Sequence, residues 1–329
     1  MSDDSPLLDV RGLTTEFAVS RNGEPGVVRA VDGISFHVDR GEVLGLVGES
    51  GCGKSVTALS IIRLVQPPGR IAGGSIVFEG RDLTVLDERE MQHVRGARIG
   101  FVFQEPMTAL NPVFRVGDQI AEALTAHGMA SRAEARKRAV DLLTAVRIPD
   151  AAARARDYPH QLSGGMRQRA LIAAALACSP SLLIADEPTT ALDVTIQAEI
   201  LDLLADMRAR LGLALLLITH DLGVVAQLAD RVAIMYAGRI VEEGPAKAVL
   251  AAPAHPYTRG LLASLPGSAP GARLLAIPGA VPDLAALPAG CAFAPRCGNR
   301  MTRCEERPPE RLEVGPARHA RCVLYEAGS

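Results

Sequence analysis

Eight consecutive residues, Gly48-Glu49-Ser50-Gly51-Cys52-Gly53-Lys54-Ser55, carry the sharpest chemistry in the chain. Their spacing is G-x-x-x-x-G-K-S. Glycines at the fixed positions let successive backbone N–H groups turn towards one point, because no Cβ stands in the way. A helix starting near Lys54 would add the partial positive charge of its N-terminus, and phosphate is the anion that fits. Lys54 is then placed to reach the outer phosphates, the Ser55 hydroxyl to ligate Mg²⁺, and Val56 to follow in the first turn. The pattern implies a bound nucleoside triphosphate.

Two further stretches fit that chemistry. Leu182-Leu-Ile-Ala-Asp186-Glu187 sets two carboxylates just past an apolar run. If that run is a strand beside the one feeding the glycine loop, Asp186 can hold Mg²⁺ through its water shell. Glu187, one residue on, points elsewhere and can polarise an attacking water as general base. Leu162-Ser163-Gly164-Gly165-Met166 opens another helix with an N-cap serine and two glycines, a second anion-ready end. One γ-phosphate is already held by the glycine loop, so this second end points to a nucleotide bound to another subunit. Taken singly, the acidic pair also reads as a solvated turn and Ser163 as an ordinary cap.

The elements that must position these residues follow from periodicity. Val43–Val47 is a buried strand, and a helix-forming stretch runs over Ser55–Leu64, before Pro67-Pro68-Gly69. Strands are expected over Leu7–Glu16, Val27–Val38, Gly73–Gly80, Arg98–Gln104, Leu182–Asp186 and Ala214–Thr219, with a hairpin over Arg231–Glu243 turning near Ala237-Gly238. Helices are expected from Val116 to about Pro159, over Gly164–Ala177 and over Ile196–Leu211. Strands apolar on both faces that alternate with helices predict an α/β fold with a mostly parallel sheet covered by helices. Residues 1–250 form the main domain, with a helical subdomain over about 105–165.

Composition bounds the rest. Hydrophobic residues make up 48% of 329, enough for a real core, but aromatics are 3% and Trp is absent. The formal net charge of −2 gives no basic field for nucleic acid. The acidic start has no apolar signal segment, and no unbroken apolar run reaches membrane-span length. The chain is therefore expected to be cytosolic by itself, with any membrane role needing a partner. Of 22 prolines, 11 lie after residue 250, so residues 251–329 read as a separate appendage held by something other than a large core. Cys52 reads as a loop filler and Cys178 as a small core residue.

The order of glycine loop, Gln104, Leu-Ser-Gly-Gly, Asp186-Glu187, Ala191-Leu-Asp193 and His220 resembles the ATP-binding subunits of ABC transporters, over roughly residues 7–250. That resemblance implies a P-loop ATPase that works as a dimer with two ATP molecules between its halves. Phe17 would stack on adenine. Gln104 would reach Mg²⁺ or the attacking water, and sense the membrane partner through the link Glu105–Val116. Ser163, Gly164 and Gly165 would contact the γ-phosphate across the dimer, with Asp193 lining that interface. His220 would contact the γ-phosphate and hold Glu187 in place. The usual Gln after Leu-Ser-Gly-Gly is Met166 here, which removes a polar side chain but leaves the backbone donors. Phe17 also reads as a core residue, and Gln104 and His220 as hydrogen-bonded loop groups.

His255-Pro-Tyr-Thr-Arg-Gly-Leu-Leu262 and the cysteines that follow resemble the oligopeptide, dipeptide and nickel importer branch. The resemblance implies import of peptides, or of nickel, glutathione or another solute. It also implies two transmembrane permease subunits, a second ATPase that is a paralogue or an identical chain, and an extracytoplasmic solute-binding protein. The location would be peripheral, on the cytoplasmic face of the inner membrane. A soluble ABC ATPase acting on DNA or ribosomes fits less well, since no long insertion and no basic surface is present. A metal-sensing regulatory protein with ATP as its switch is a further reading. Cys291, Cys297, Cys304 and Cys322 in a Pro-rich module suit a metal-held fold. With no C-x-x-C pair, a [4Fe–4S] cluster is expected, with zinc on Cys₄ or on Cys₃ and His319, or no metal at all, as the alternatives. Arg296, Arg300 and Arg303 are candidates to offset a cluster's charge, or else solvated.

Overall fold

The computed structural model describes residues 5–21, 23–104, 109–190, 192–264 and 276–326. In chain order its strands are β1 (Leu8–Arg21), β2 (Glu24–Val38), β3 (Val43–Val47), β4 (Gly69–Phe78), β5 (Arg81–Asp82), β6 (Ile99–Val102), β7 (Leu182–Asp186), β8 (Ala214–Thr219), β9 (Arg231–Tyr236), β10 (Arg239–Pro245), β11 (Leu312–Gly315) and β12 (Arg318–Ala320). Two compact units result. One comprises residues 1–38, 43–84 and 218–329, the other residues 39–42 and 85–217.

The first unit holds two groups of strands. β2, β1, β4 and β5 form an antiparallel sheet in that order. Alternating exposure along β2 shows why: one face is covered and the other meets water, as antiparallel sheets allow. A mostly parallel sheet was expected, and this separate antiparallel sheet departs from that expectation. β3, by contrast, is buried at every residue and pairs in parallel with β9. The hairpin of β9 and β10 turns at Ala237-Gly238, both with positive φ. Beyond β10, β12 and then β11 add antiparallel strands.

The described part of the Pro-rich extension shares a core with the strand that feeds the glycine loop. Val47 of β3 clusters with Val232, Ile234, Tyr236, Val249, Tyr257 and Phe293. Tyr236, Tyr257 and Phe293 pack ring against ring, with centroids 4.6–5.4 Å apart. Few aromatics are present in the chain, and three of them are spent here.

The second unit contains the parallel pair β6 and β7, with β8 on the other side of β7. Among the described residues its helices include Glu88–Val94, Val116–Ala126, Arg132–Ala145, the short Ala151–Arg154, Gly164–Leu176 and Val194–Leu211. Residues 105–108 of the expected link, and Ala191, lie outside the described residues. The rest of the link is fastened by Gln119, which accepts from the Asn111 N–H at 2.9 Å and donates to the carbonyls of Asn111 and Phe114 at 3.0 Å. Among the described residues, no helix is long and apolar enough to cross a membrane.

Candidate functional site

In the first unit, β3 ends at Val47 and the helix Lys54–Ile61 begins six residues past Gly48, as the spacing requires. Two glycines are there for close approach. A Cβ on Gly48 would run into the carbonyl of Met235, and one on Gly53 into the carbonyl of Ala30. Gly53 is also the helix N-cap, at φ 108°, a conformation that strongly favours glycine. Lys54 Nζ donates to the carbonyls of Gly48 (2.7 Å) and Glu49 (3.1 Å), so its charge lies along the loop. Cys52 is buried, and its carbonyl accepts from the Gly238 N–H at 2.9 Å, which ties the loop to the β9–β10 turn. Burial raises the Cys52 thiol pKa above its ordinary value. Ser50 and Gly51 are exposed at the tip, while Ser55 and Val56 are half-buried. Phe17 is half-buried on β1 opposite Gly69, and its ring fills the space that a Cβ on Gly69 would need. His220 is exposed just after β8.

In the second unit, Asp186 ends β7 and is buried. Glu187 follows in the left-handed region at φ 47°, which turns the chain sharply between the two carboxylates. A non-glycine residue there costs roughly 1–2 kcal/mol, and such conformations cluster at functional sites. Side-chain hydrogen bonds grip the Glu187 carboxylate. Its Oε2 accepts from Gln104 Nε2 at 3.2 Å and from Thr190 Oγ1 at 2.8 Å. Sequence reasoning named Gln104 and Glu187 separately but did not join them, and it missed Thr190. That threonine, three residues past Glu187 in Glu-Pro-Thr-Thr, was the available signal.

Ser163 caps the helix Gly164–Leu176, its Oγ accepting from the Met166 N–H at 3.3 Å. Ser163 and Gly164 are exposed, whereas Gly165 is buried against Ile196, where a Cβ would meet Cγ2 at 2.7 Å. Asp193 caps the helix Val194–Leu211 in the same manner, through Ile196 N–H at 3.0 Å. The two capped helix starts therefore lie close together, with their polar ends towards solvent.

Back in the first unit, Cys291, Cys297, Cys304 and Cys322 line one small cavity. Burial raises the pKa of Cys291 and Cys297, and lifts Cys322 to about 11. The number and kind of donors fit a cluster or zinc. Among the described residues, however, no group of three or more His, Cys, Asp or Glu side chains stands within metal-holding reach. His319 is not at this cavity. It lies on β12 opposite Glu243, with its Nδ1 3.0 Å from Arg311 Nη2, which removes it as a fourth zinc ligand. The nearby arginines find carboxylates instead of the cysteines: Arg296 pairs with Glu49, Arg300 with Glu305 and Arg303 with Glu326.

Comparison with known proteins decides the family. Residues 31–190 match the ABC transporter family, and residues 241–304 match the oligopeptide/dipeptide transporter C-terminal region. The oligopeptide transport ATP-binding protein of Bacillus subtilis is 51% identical over 97% of this chain and 88% of its own length. The chain belongs to the ATP-binding subunits of the peptide ABC transporters. The dipeptide transport ATP-binding protein of the same organism is also 51% identical, over 97% of this chain and 95% of its own. Among solved structures, a dimeric ATP-binding cassette in a post-hydrolysis state, bound to ADP and phosphate, superposes with a TM-score of 0.64 at 28% identity. It covers 73% of this chain and 98% of its own. The ABC cassette fold and an ATP- and Mg²⁺-dependent ATPase activity go with that membership.

Proposed function

We propose that this ABC subunit hydrolyses ATP to energise uptake of peptides through a membrane permease, with Glu187 as the group that activates water. The observation that carries the reading is the gripped carboxylate. Glu187 is turned away from Asp186 by its left-handed backbone and is aimed by Gln104 and Thr190. In this reading Lys54 and the loop N–H groups of residues 48–55 hold the phosphates, Ser55, Gln104 and Asp186 serve Mg²⁺, and Phe17 stacks on adenine. Ser163, Gly164, Gly165 and Asp193 face a nucleotide held by a second ATPase subunit, and His220 contacts its own γ-phosphate. The two exposed capped helix ends support that arrangement, as does the dimeric state of the similar cassette.

Peptide is the proposed cargo because the relatives are named for oligopeptide and dipeptide transport. Permease partners would dock where the link leaves Gln104. Val113 and Phe114 are exposed there (71% and 56%), apolar side chains set beside a fastened turn. Such docking would hold the subunit at the cytoplasmic face of the membrane. The four cysteines, drawn around one cavity, are proposed to hold a [4Fe–4S] cluster that keeps the extension folded. Zinc on the same four thiolates is the alternative.

Glu187→Gln tests the catalytic assignment. It should retain ATP binding, accumulate an ATP-locked dimer and lower turnover by about 10²–10⁴. Wild-type turnover in that variant would remove Glu187 from the mechanism.

A further inference from the structure

Glu49, the first variable residue of the glycine loop, is held on two sides by residues of the C-terminal extension. Its carboxylate takes both arms of the Arg296 guanidinium, Nη1 to Oε2 at 2.7 Å and Nη2 to Oε1 at 3.0 Å. Its backbone N–H donates to the Tyr257 hydroxyl at 2.9 Å. Its carbonyl accepts from Lys54 Nζ. One loop residue thus joins the phosphate-binding lysine to two groups that come more than 200 positions later.

Both extension groups are fixed by their own surroundings. Arg296 is 8% exposed and donates from Nε to the Pro278 carbonyl at 2.9 Å. Tyr257 is wholly buried, with its ring in the aromatic cluster of Tyr236 and Phe293. Arg296 directly precedes Cys297, which lines the cysteine cavity, while its own side chain is directed to Glu49. A bidentate pair fixes direction as well as distance. It also neutralises a carboxylate that would otherwise stand, negatively charged, in a loop whose task is to receive phosphate.

We propose that Arg296 and Tyr257 are positioning residues of the phosphate loop, through which the C-terminal extension sets the affinity for ATP. The proposal rests on the ATP-site reading above. Arg296 cancels the Glu49 charge and draws its side chain aside, while Tyr257 fixes the backbone from which the loop curls. Both act through Glu49. A disturbance of the cysteine module reaches the loop through the step from Cys297 to Arg296.

The test is MgATP titration of the purified full-length chain, followed by calorimetry, with melting temperature recorded for each variant. Arg296→Gln should raise the Kd roughly tenfold, the loss expected for a hydrogen-bonded charge partner. Adding Glu49→Gln to Arg296→Gln should restore most of the affinity, because the uncancelled charge is then gone. A role limited to holding the fold would not show that rescue. Arg296→Lys, which keeps the charge without the fork, should fall between wild type and Arg296→Gln, and it carries the test if Arg296→Gln does not fold. An unchanged Kd in Arg296→Gln or Arg296→Lys would overturn the proposal, and so would a double variant no tighter than Arg296→Gln. Lys54→Ala separates the two readings. If Lys54→Ala binds MgATP like wild type, the ATP-site reading fails. If it loses binding while the Arg296 variants keep theirs, the positioning role alone fails.

Discussion

The glycine loop and the C-terminal extension reach order by opposite routes, although they meet in one unit. The loop is built from eight adjacent residues, and its shape follows from what those residues lack: a Cβ at Gly48 or Gly53 would strike a carbonyl. The extension is assembled from residues scattered over some 70 positions: Tyr257 in one helix, Phe293 and Arg296 near a 3₁₀ turn, and strands β11 and β12 at the edge of β10. Its stability comes from burying aromatic rings against β3 and β9, and its hold on the loop from the ion pair of Arg296 with Glu49. A local motif tolerates little change anywhere but needs few partners. A dispersed module tolerates change at most positions and depends on a few anchors.

The largest effect that sharpens this contrast concerns the metal proposed for the cysteine cavity. Anaerobically purified protein should carry about four irons with matching sulfide, and Cys297→Ser should lose them. One zinc and no iron would replace the cluster with a structural zinc site, and no metal at all would leave the extension held by its aromatic anchors, its ion pairs and the pairing of β12 with β10. Next in size is Phe293→Ala. Removing a buried aromatic costs roughly 3–5 kcal/mol. Because Phe293 shares a cluster with Val47, thermal unfolding should show one lowered transition for extension and loop together. An early, separate melt of the extension with undisturbed ATP binding would break the idea of a shared core.

The smallest expected effect is a pH dependence. His255 is buried, its Nδ1 accepts from the Tyr257 N–H at 3.0 Å, and burial pushes its pKa down to about 3. The unfolded chain takes up that proton near 6.5, so this contribution is complete above about pH 6.5 and is lost as the pH falls towards 3. At pH 5 the loss is about 2 kcal/mol relative to neutral pH. His255→Asn keeps a capping acceptor without a titrating ring, and it should flatten the stability profile over that range. An unchanged slope would place the acid sensitivity elsewhere.

Much of this is legible in the amino-acid sequence. Val43–Val47, Leu182–Asp186 and Ala214–Thr219 have the bounds that unbroken apolar runs predict, and the hairpin turns at Ala237-Gly238. The antiparallel sheet of β1, β2 and β4 was legible only as strands, since periodicity says which face is buried and not which strand lies alongside. The cysteine spacing suggested a shared cavity but not its ligand distances. It could not show that Arg296 turns away from the thiols towards Glu49.

The sequence alone marked the glycine loop, the apolar strands and the helix start capped by Ser163, because each rests on a pattern of neighbouring residue types. Tertiary structure decided the grip of Gln104 and Thr190 on Glu187, and the hold of Arg296 and Tyr257 on Glu49. Except for the local Thr190 bond, these join groups 83 to 247 positions apart. Which distant carboxylate an arginine or an amide meets is fixed by the packing of the elements that carry them, and no local pattern records it.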